Sequence, residues 1–247
     1  MNLQDFFSVY PQIAIAFSGG TDSAYLLYQA KKYAKKVTAY YISTAFQPEF
    51  EKQDAISFCH TYDIPLTILE YDILQHKEIT SNPGNRCYYC KKAIMNQLLI
   101  AARHDGYTIL ADGTNASDDV QDRPGMQALK ELQVLSPLRL CGITKEQLRN
   151  ESKKLGLFTA KKPAYACLAT RIPQNTAITF EQLHLVESTE QKLSQMGFYD
   201  FRARLLPNAV KLQVKEEQLP LLIKKREELL KILHPYFENV FLDLFCR

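Results

Sequence analysis

The sequence predicts an α/β protein, a parallel sheet with helices on both faces followed by a small C-terminal α+β domain. Three observations carry that expectation. Four β-prone runs alternate with helix-like stretches over the first two thirds of the chain, as crossover units require. A Gly-Gly turn directly follows the first run and opens a helix. Beyond residue 176 the pattern changes to one long helix and then short alternating segments, which places a seam in the loop Lys161–Thr176 and divides the chain into 1–165 and 166–247.

In order, Ile13–Phe17 reads as the first strand, and a helical pattern runs on to Lys35. Val37–Ile42 is β-branched and aromatic, hence a second strand. Glu49–Tyr62 reads as a helix, Leu66–Leu69 as a strand, Lys91–His104 as a helix and Thr108–Ala111 as a fourth strand. Thr144-Lys145-Glu146-Gln147 and Thr179-Phe180-Glu181-Gln182 both fit the capping box and start helices that end at Gly156 and near Gly197. Phe201–Leu206, a turn at Pro207-Asn208, Val210–Val214, a charged helix Glu216–Leu233 and a strand Val240–Leu244 complete the reading.

Composition narrows the function. With 247 residues, 46% hydrophobic side chains and a net charge of +3, the chain has the make-up of a core-forming protein without a global field for nucleic acid. No apolar run has the length of a membrane span and no signal peptide is evident, which predicts a cytoplasmic protein with no membrane partner. In that compartment the six cysteines are thiols or metal ligands rather than a disulfide framework.

The turn after the first strand, Ser18-Gly19-Gly20-Thr21-Asp22-Ser23, has the features of an anion cradle. Glycines let the backbone approach a ligand, and amides at a helix start face an anion. Ser18, Thr21 and Ser23 offer hydroxyls. Asp22 would repel a phosphate, so it suits a helix cap or a ligand of phosphate-bound Mg²⁺. The alternative is an ordinary strand-to-helix turn. Ser43, after the second strand, either touches an adenosine or caps the next helix. Asp112-Gly113-Thr114-Asn115 ends the fourth strand at the same sheet edge.

Cys87 and Cys90 form C-x2-C, a spacing at which two thiolates can share one metal. Cys167 lies in the seam loop, and Arg86, Lys91 and Arg171 nearby favour thiolates. Three cysteines fit a [4Fe–4S] cluster with one iron open. Cys59 and Cys141 read as buried small hydrophobes and Cys246 as incidental. Glu190 falls on the apolar stripe Leu183, Val186, Glu190, Leu193, where an unpaired carboxylate would be costly. Arg202 and Arg204 share one face of a strand and call for an anion or an acid between them. A Glu190–arginine brace between helix and strand is the structural alternative.

The loop string resembles the SGGxDS loop of the PP-loop superfamily, the N-type ATP pyrophosphatases with an adenine nucleotide alpha-hydrolase-like fold. It is not a P-loop, since no lysine follows the second glycine. That resemblance implies ATP bound by Ala16, Phe17, Ser18, Gly19, Gly20, Thr21, Asp22, Ser23, Ser43, Gly113 and Thr114, cleaved between its α- and β-phosphates. Arg86–Lys91, Asp112–Asn115, Asp122-Arg123-Pro124-Gly125 and Cys167–Pro173, in that order, are similar to the LarE family of sulfur transferases in nickel-pincer nucleotide biosynthesis. This narrower likeness, from about Ile13 to about Val214, implies that the carboxylates of pyridinium-3,5-biscarboxylic acid mononucleotide are adenylated and become thiocarboxylates. Asp22, Cys167 and Arg171 would be catalytic. Glu190, Arg202 and Arg204 would bind the substrate, and Cys87, Cys90 and Cys167 would hold a [4Fe–4S] cluster. The chain has all three cysteines, unlike members that surrender the sulfur of a single one. Position 170 is Thr where the family often has Ser. A homo-oligomer is expected.

Two other functions compete. A tRNA-thiolating PP-loop enzyme would need an RNA-binding surface that the near-neutral charge and the lack of an RNA-binding module do not provide. A non-catalytic nucleotide sensor would have no use for Cys167 and the arginine pair.

Overall fold

A computed structural model describes residues 1–118 and 124–245. The chain runs α1 (Leu3–Val9), β1 (Gln12–Ala16), α2 (Thr21–Tyr33), β2 (Lys36–Ser43), α3 (Glu49–Thr61), β3 (Leu66–Glu70), α4 (Lys77–Thr80), α5 (Arg86–His104) and β4 (Leu110–Ala111). It continues through α6 (Pro124–Glu131), α7 (Pro137–Leu140), α8 (Lys145–Lys154), α9 (Phe180–Gln195), β5 (Arg202–Leu206), β6 (Ala209–Gln213), α10 (Leu219–Lys224), α11 (Arg226–Leu233) and β7 (Asn239–Leu242). Two compact units result: Met1–Ile73 with Asn85–Lys162, and Leu74–Gly84 with Pro163–Arg247.

The first unit holds a four-stranded parallel sheet in the order β3-β2-β1-β4. Strand side chains alternate between faces, and both faces are covered. On one side Ile13, Ile15, Val37, Ala39 and Tyr41 join α1, α2 and α3 through Phe6, Phe7, Leu26, Leu27 and Phe58. On the other, Ala14, Ala16, Tyr40 and Ile42 join α5 and α6 through Met95, Leu98, Ala102 and Leu129. Small residues on that side of β1 leave room for the long helix α5.

Strand order reverses at β1: the chain moves outward through β2 and β3, then returns to place β4 on β1's other edge. Ligands of open parallel sheets bind at such a point, beyond the strands' carboxyl ends. Both the glycine loop after β1 and Asp112–Asn115 after β4 leave the sheet there.

The second unit carries the sheet β5-β6-β7, an antiparallel hairpin extended by a parallel strand. Asn208 turns the hairpin at φ +52°, a conformation asparagine tolerates better than most residues. Helix α9 packs on β5 and on α11.

Several elements differ from the sequence expectation. The helix expected from Lys91 begins at Arg86, so the C-x2-C pair lies on its first turn. The charged helix Glu216–Leu233 is a 3-10 turn followed by α10 and α11, broken at Lys225. Pro220 lies in the first turn of α10, the position where its missing N–H costs nothing, and so restarts the helix there. The fourth strand is only two residues long. Helix α1 was not expected, although Asn2 and Asp5 form a capping box. Both threonine capping boxes are formed, at Thr144 and Thr179, and Gly156 and Gly197 take positive φ just beyond those helices. Asp122 and Arg123 lie outside the described residues.

Candidate active site

The glycine loop is braced at every side chain. Gly19 adopts φ +71°, and a Cβ there would meet the Glu51 carbonyl at 2.9 Å, so no other residue fits without a shift. Gly20 is the N-cap of α2 and has no side-chain cap. The first amides of a 13-residue helix therefore lack an intrahelical acceptor and can meet an anion. Because Gly20 holds the cap position, Asp22 is not a cap. The Ser23 hydroxyl donates to the Gly20 carbonyl at 3.2 Å and lies 3.1 Å from Ser18 Oγ. Thr21 does not offer its hydroxyl to a ligand: it donates to the Thr159 carbonyl at 2.8 Å and ties the loop to residues 158–161. Lys162 adds a second tie, to the Gly19 carbonyl at 3.0 Å and to Asp54 at 2.6 Å. Of the three hydroxyl residues only Ser18 is exposed. Phe17 is buried against Phe58, with ring centroids 5.4 Å apart, so only its backbone is left for a nucleotide. Ala16 ends β1 and is also buried.

The Asp112–Asn115 loop presses on this helix start. A Cβ on Gly113 would lie 2.7 Å from the Ser23 amide nitrogen. Asp112 is buried and anchored by Thr114 Oγ1 at 2.6 Å, Ser136 Oγ at 2.7 Å and Lys91 Nζ at 3.4 Å. Lys91 thereby fastens the C-x2-C turn of α5 to the second loop. Asn115 Nδ2 donates to Asp22 Oδ2 at 3.1 Å. The other carboxylate oxygen of Asp22 accepts from Lys145, the first residue of α8.

Ser43 ends β2. Its hydroxyl bonds to Glu70 and helps hold that carboxyl below its usual range, after the larger effect of Lys52. It does not cap α3, whose N-cap is Pro48.

In the second unit, Arg171 and Glu190 form a two-pronged ion pair, Nε–Oε1 2.9 Å and Nη2–Oε2 3.1 Å. Glu190 also accepts from Tyr165 Oη at 2.6 Å and from the Ala203 amide at 3.0 Å. Glu190 is therefore partnered, but not by the expected strand arginine: its partner is Arg171 of the Cys167 loop, and it reaches β5 through the Ala203 amide. Burial first, then the Glu190 charge, pushes the Tyr165 phenol far above its ordinary range. Its ring lies under two guanidinium groups, Arg171 at 4.5 Å and Arg202 at 4.9 Å.

The three arginines converge on the loop that carries Cys167. Arg202 Nη2 donates to the Ala164 carbonyl at 2.7 Å. Arg171 Nη1 donates to Ala166 at 2.6 Å and to the Cys167 carbonyl at 3.2 Å. Arg204 Nη1 donates to Thr170 at 2.6 Å. Cys167 itself opens a 3-10 turn, its carbonyl taken up by Thr170, and its side chain is half-buried. An irregular segment thus has its carbonyls satisfied by guanidinium donors, which gives it one defined shape.

The cysteines separate clearly. Burial pushes the Cys59 thiol up to about 12 and raises that of Cys141. Cys87 is exposed and Cys90 half-buried on one turn of α5. Among the described residues no three His, Cys, Asp or Glu side chains are gathered as a metal site. Sequence reasoning missed Lys145, Lys162 and Tyr165. Only Lys145 left a signal: a lysine in the first turn of a helix opposes the helix dipole and needs an acid to offset it.

A parallel sheet with this glycine loop and the β4 loop at its switch point gives the chain the α/β architecture of a PP-loop fold. It is 35% identical over 88% of its length to the uncharacterized protein slr1717 of Synechocystis sp., covering 82% of that protein. It is 30% identical over 94% of its length to the uncharacterized protein MJ0830 of Methanocaldococcus jannaschii, covering 89%. The chain belongs to the family of these two proteins. It is also 26% identical, over 84% of its length and 76% of the relative's, to the pyridinium-3,5-bisthiocarboxylic acid mononucleotide synthase of Lactiplantibacillus plantarum. No protein-family model matches. No helix among the described residues is long and apolar enough to cross a membrane.

Proposed function

We propose that the chain is an ATP-dependent sulfur transferase acting on pyridinium-3,5-biscarboxylic acid mononucleotide. The observation that carries the reading is the occurrence, in one chain, of a glycine helix start suited to phosphate and a cysteine loop braced by three arginines. Kinship with the Lactiplantibacillus synthase supports the choice of substrate.

In this reaction a substrate carboxylate oxygen attacks the α-phosphorus of ATP, and pyrophosphate leaves. A sulfur nucleophile then adds to the acyl carbon, AMP departs, and the carboxylate becomes a thiocarboxylate. The α2 amides bind the phosphates, while Gly113 and Thr114 hold the helix start from the other side. Asp22, a hard oxygen donor oriented by Asn115, suits Mg²⁺, which would neutralise phosphate charge. Cys87, Cys90 and Cys167 are soft donors suited to a [4Fe–4S] cluster, which would supply the sulfur. Arg171 acts through Glu190 and the Cys167 backbone, so its role in this scheme is to position the cysteine. Arg202 and Arg204 add cationic charge for the substrate phosphate. The enzyme works as a homo-oligomer in the cytoplasm.

The test is pyrophosphate release from ATP with the pyridinium mononucleotide, with tRNA, or with neither. Release only with the mononucleotide, lost in Asp22→Ala with little change in melting temperature, is expected. Release that depends on tRNA would refute the substrate, and full turnover by Asp22→Ala would refute the site.

A further inference from the structure

The nucleotide loop has no lysine of its own, yet the fold delivers one. Lys145 lies 123 residues after Asp22 in sequence, and its ammonium donates to Asp22 Oδ1 while Asn115 holds Oδ2. Both carboxylate oxygens are therefore engaged. Lys145 is placed there deliberately in physical terms. It is the first residue of α8, inside the Thr144–Gln147 capping box, and its amide donates to Ser117 Oγ at 2.9 Å. A cation at that end of a helix is unfavourable unless an anion faces it, and Asp22 is that anion. Their side chains are 37% and 24% exposed, so the pair is open to solvent and to exchange.

Asp22 presents a difficulty for phosphate binding. A carboxylate on the second residue of α2 repels the phosphates that the helix amides attract, until a cation intervenes. We infer that Lys145 is a positioning residue, the built-in counter-ion of Asp22, which masks that charge until a divalent cation takes its place. Lys145 then governs how strongly nucleotide binding depends on the metal. This rests on the ATP-binding reading above.

The readout is the ratio of ATP dissociation constants measured by calorimetry in EDTA and in Mg²⁺. In Lys145→Met, Asp22 is uncompensated without metal and has no competitor with metal, so the ratio should rise about tenfold over wild type, the effect of one charged contact. Lys145→Arg should restore the wild-type ratio and controls for folding. In an Asp22→Asn background, adding Lys145→Met should leave the ratio unchanged. An unchanged ratio in Lys145→Met, or an equal rise in the Asp22→Asn background, overturns the inference while leaving the ATP reading intact. If wild type binds no ATP under either condition, the ATP reading fails and the inference falls with it.

Discussion

Arg171 and Glu190 meet in a fully enclosed two-pronged pair, with side chains 0% and 7% exposed. The pair joins three parts of the second unit: the Cys167 loop through Arg171, helix α9 through Glu190, and strand β5 through the Ala203 amide on the same carboxylate. Removing one member of a buried pair leaves an uncompensated charge, which costs more than the pair's net contribution.

Glu190→Ala should therefore destabilise the protein by about 3–5 kcal/mol. Thermal or urea unfolding measures it. A loss under about 1 kcal/mol would mean that the Arg171 guanidinium finds another acceptor or reaches water.

Gly113→Ala should disturb the nucleotide loop from a distance in sequence. The added methyl would stand 2.7 Å from the Ser23 amide nitrogen, and backbone must move to admit it. Overpacking of this kind costs about 1–3 kcal/mol. Weaker ATP binding together with a lower melting temperature is expected. Wild-type values for both would show that the two loops are not pressed together.

Arg204→Glu separates substrate from nucleotide. The side chain is half-buried on β5 and donates to the Thr170 carbonyl. Reversal should weaken binding of the phosphorylated substrate about ten- to a hundredfold while changing ATP affinity little, since a charged contact is worth roughly 1.5–3 kcal/mol. Equal losses of both affinities would assign the arginine a purely structural role.

The thiols should divide by burial. Burial raises the folded-state pKa of Cys59 to about 12, so at pH 8 the side chain is almost wholly the unreactive thiol, and thiolate appears only as pH climbs toward that value. Alkylation of the native, metal-free protein at pH 8 followed by mass spectrometry should leave Cys59 unmodified and label exposed Cys87. Labelling of Cys59 at the rate seen in denaturant would contradict its burial.

The sulfur source is decided at Cys167. Substituting Cys87, Cys90 or Cys167 by serine should cost iron and sulfur transfer yet spare adenylation, and wild-type Cys167 should be intact after turnover. An iron-free protein that transfers one sulfur and becomes dehydroalanine at position 167, lighter by about 34 Da for the lost H₂S, a fate distinct from oxidation, would identify a sacrificial cysteine instead.

Much of the fold of both units was legible in the sequence, because its determinants are local. Continuous apolar runs such as Ile13–Phe17 specify strands covered on both faces. Thr144 with Gln147 and Thr179 with Gln182 specify helix starts, and the glycine string after β1 specifies an anion-binding turn. Glu190 on an apolar stripe showed that a buried carboxylate needed a partner. What sequence could not identify was the partner, because Arg171 was one of three nearby arginines and only packing chose it. Tertiary structure alone turned Thr21's hydroxyl to Thr159, brought Lys145 and Lys162 to a loop more than a hundred residues away, and grouped Leu74–Gly84 with the second unit. Periodicity and capping act within a few residues of chain. Which charge meets which across 20 or 120 residues depends on how the elements stack, and no local pattern encodes that.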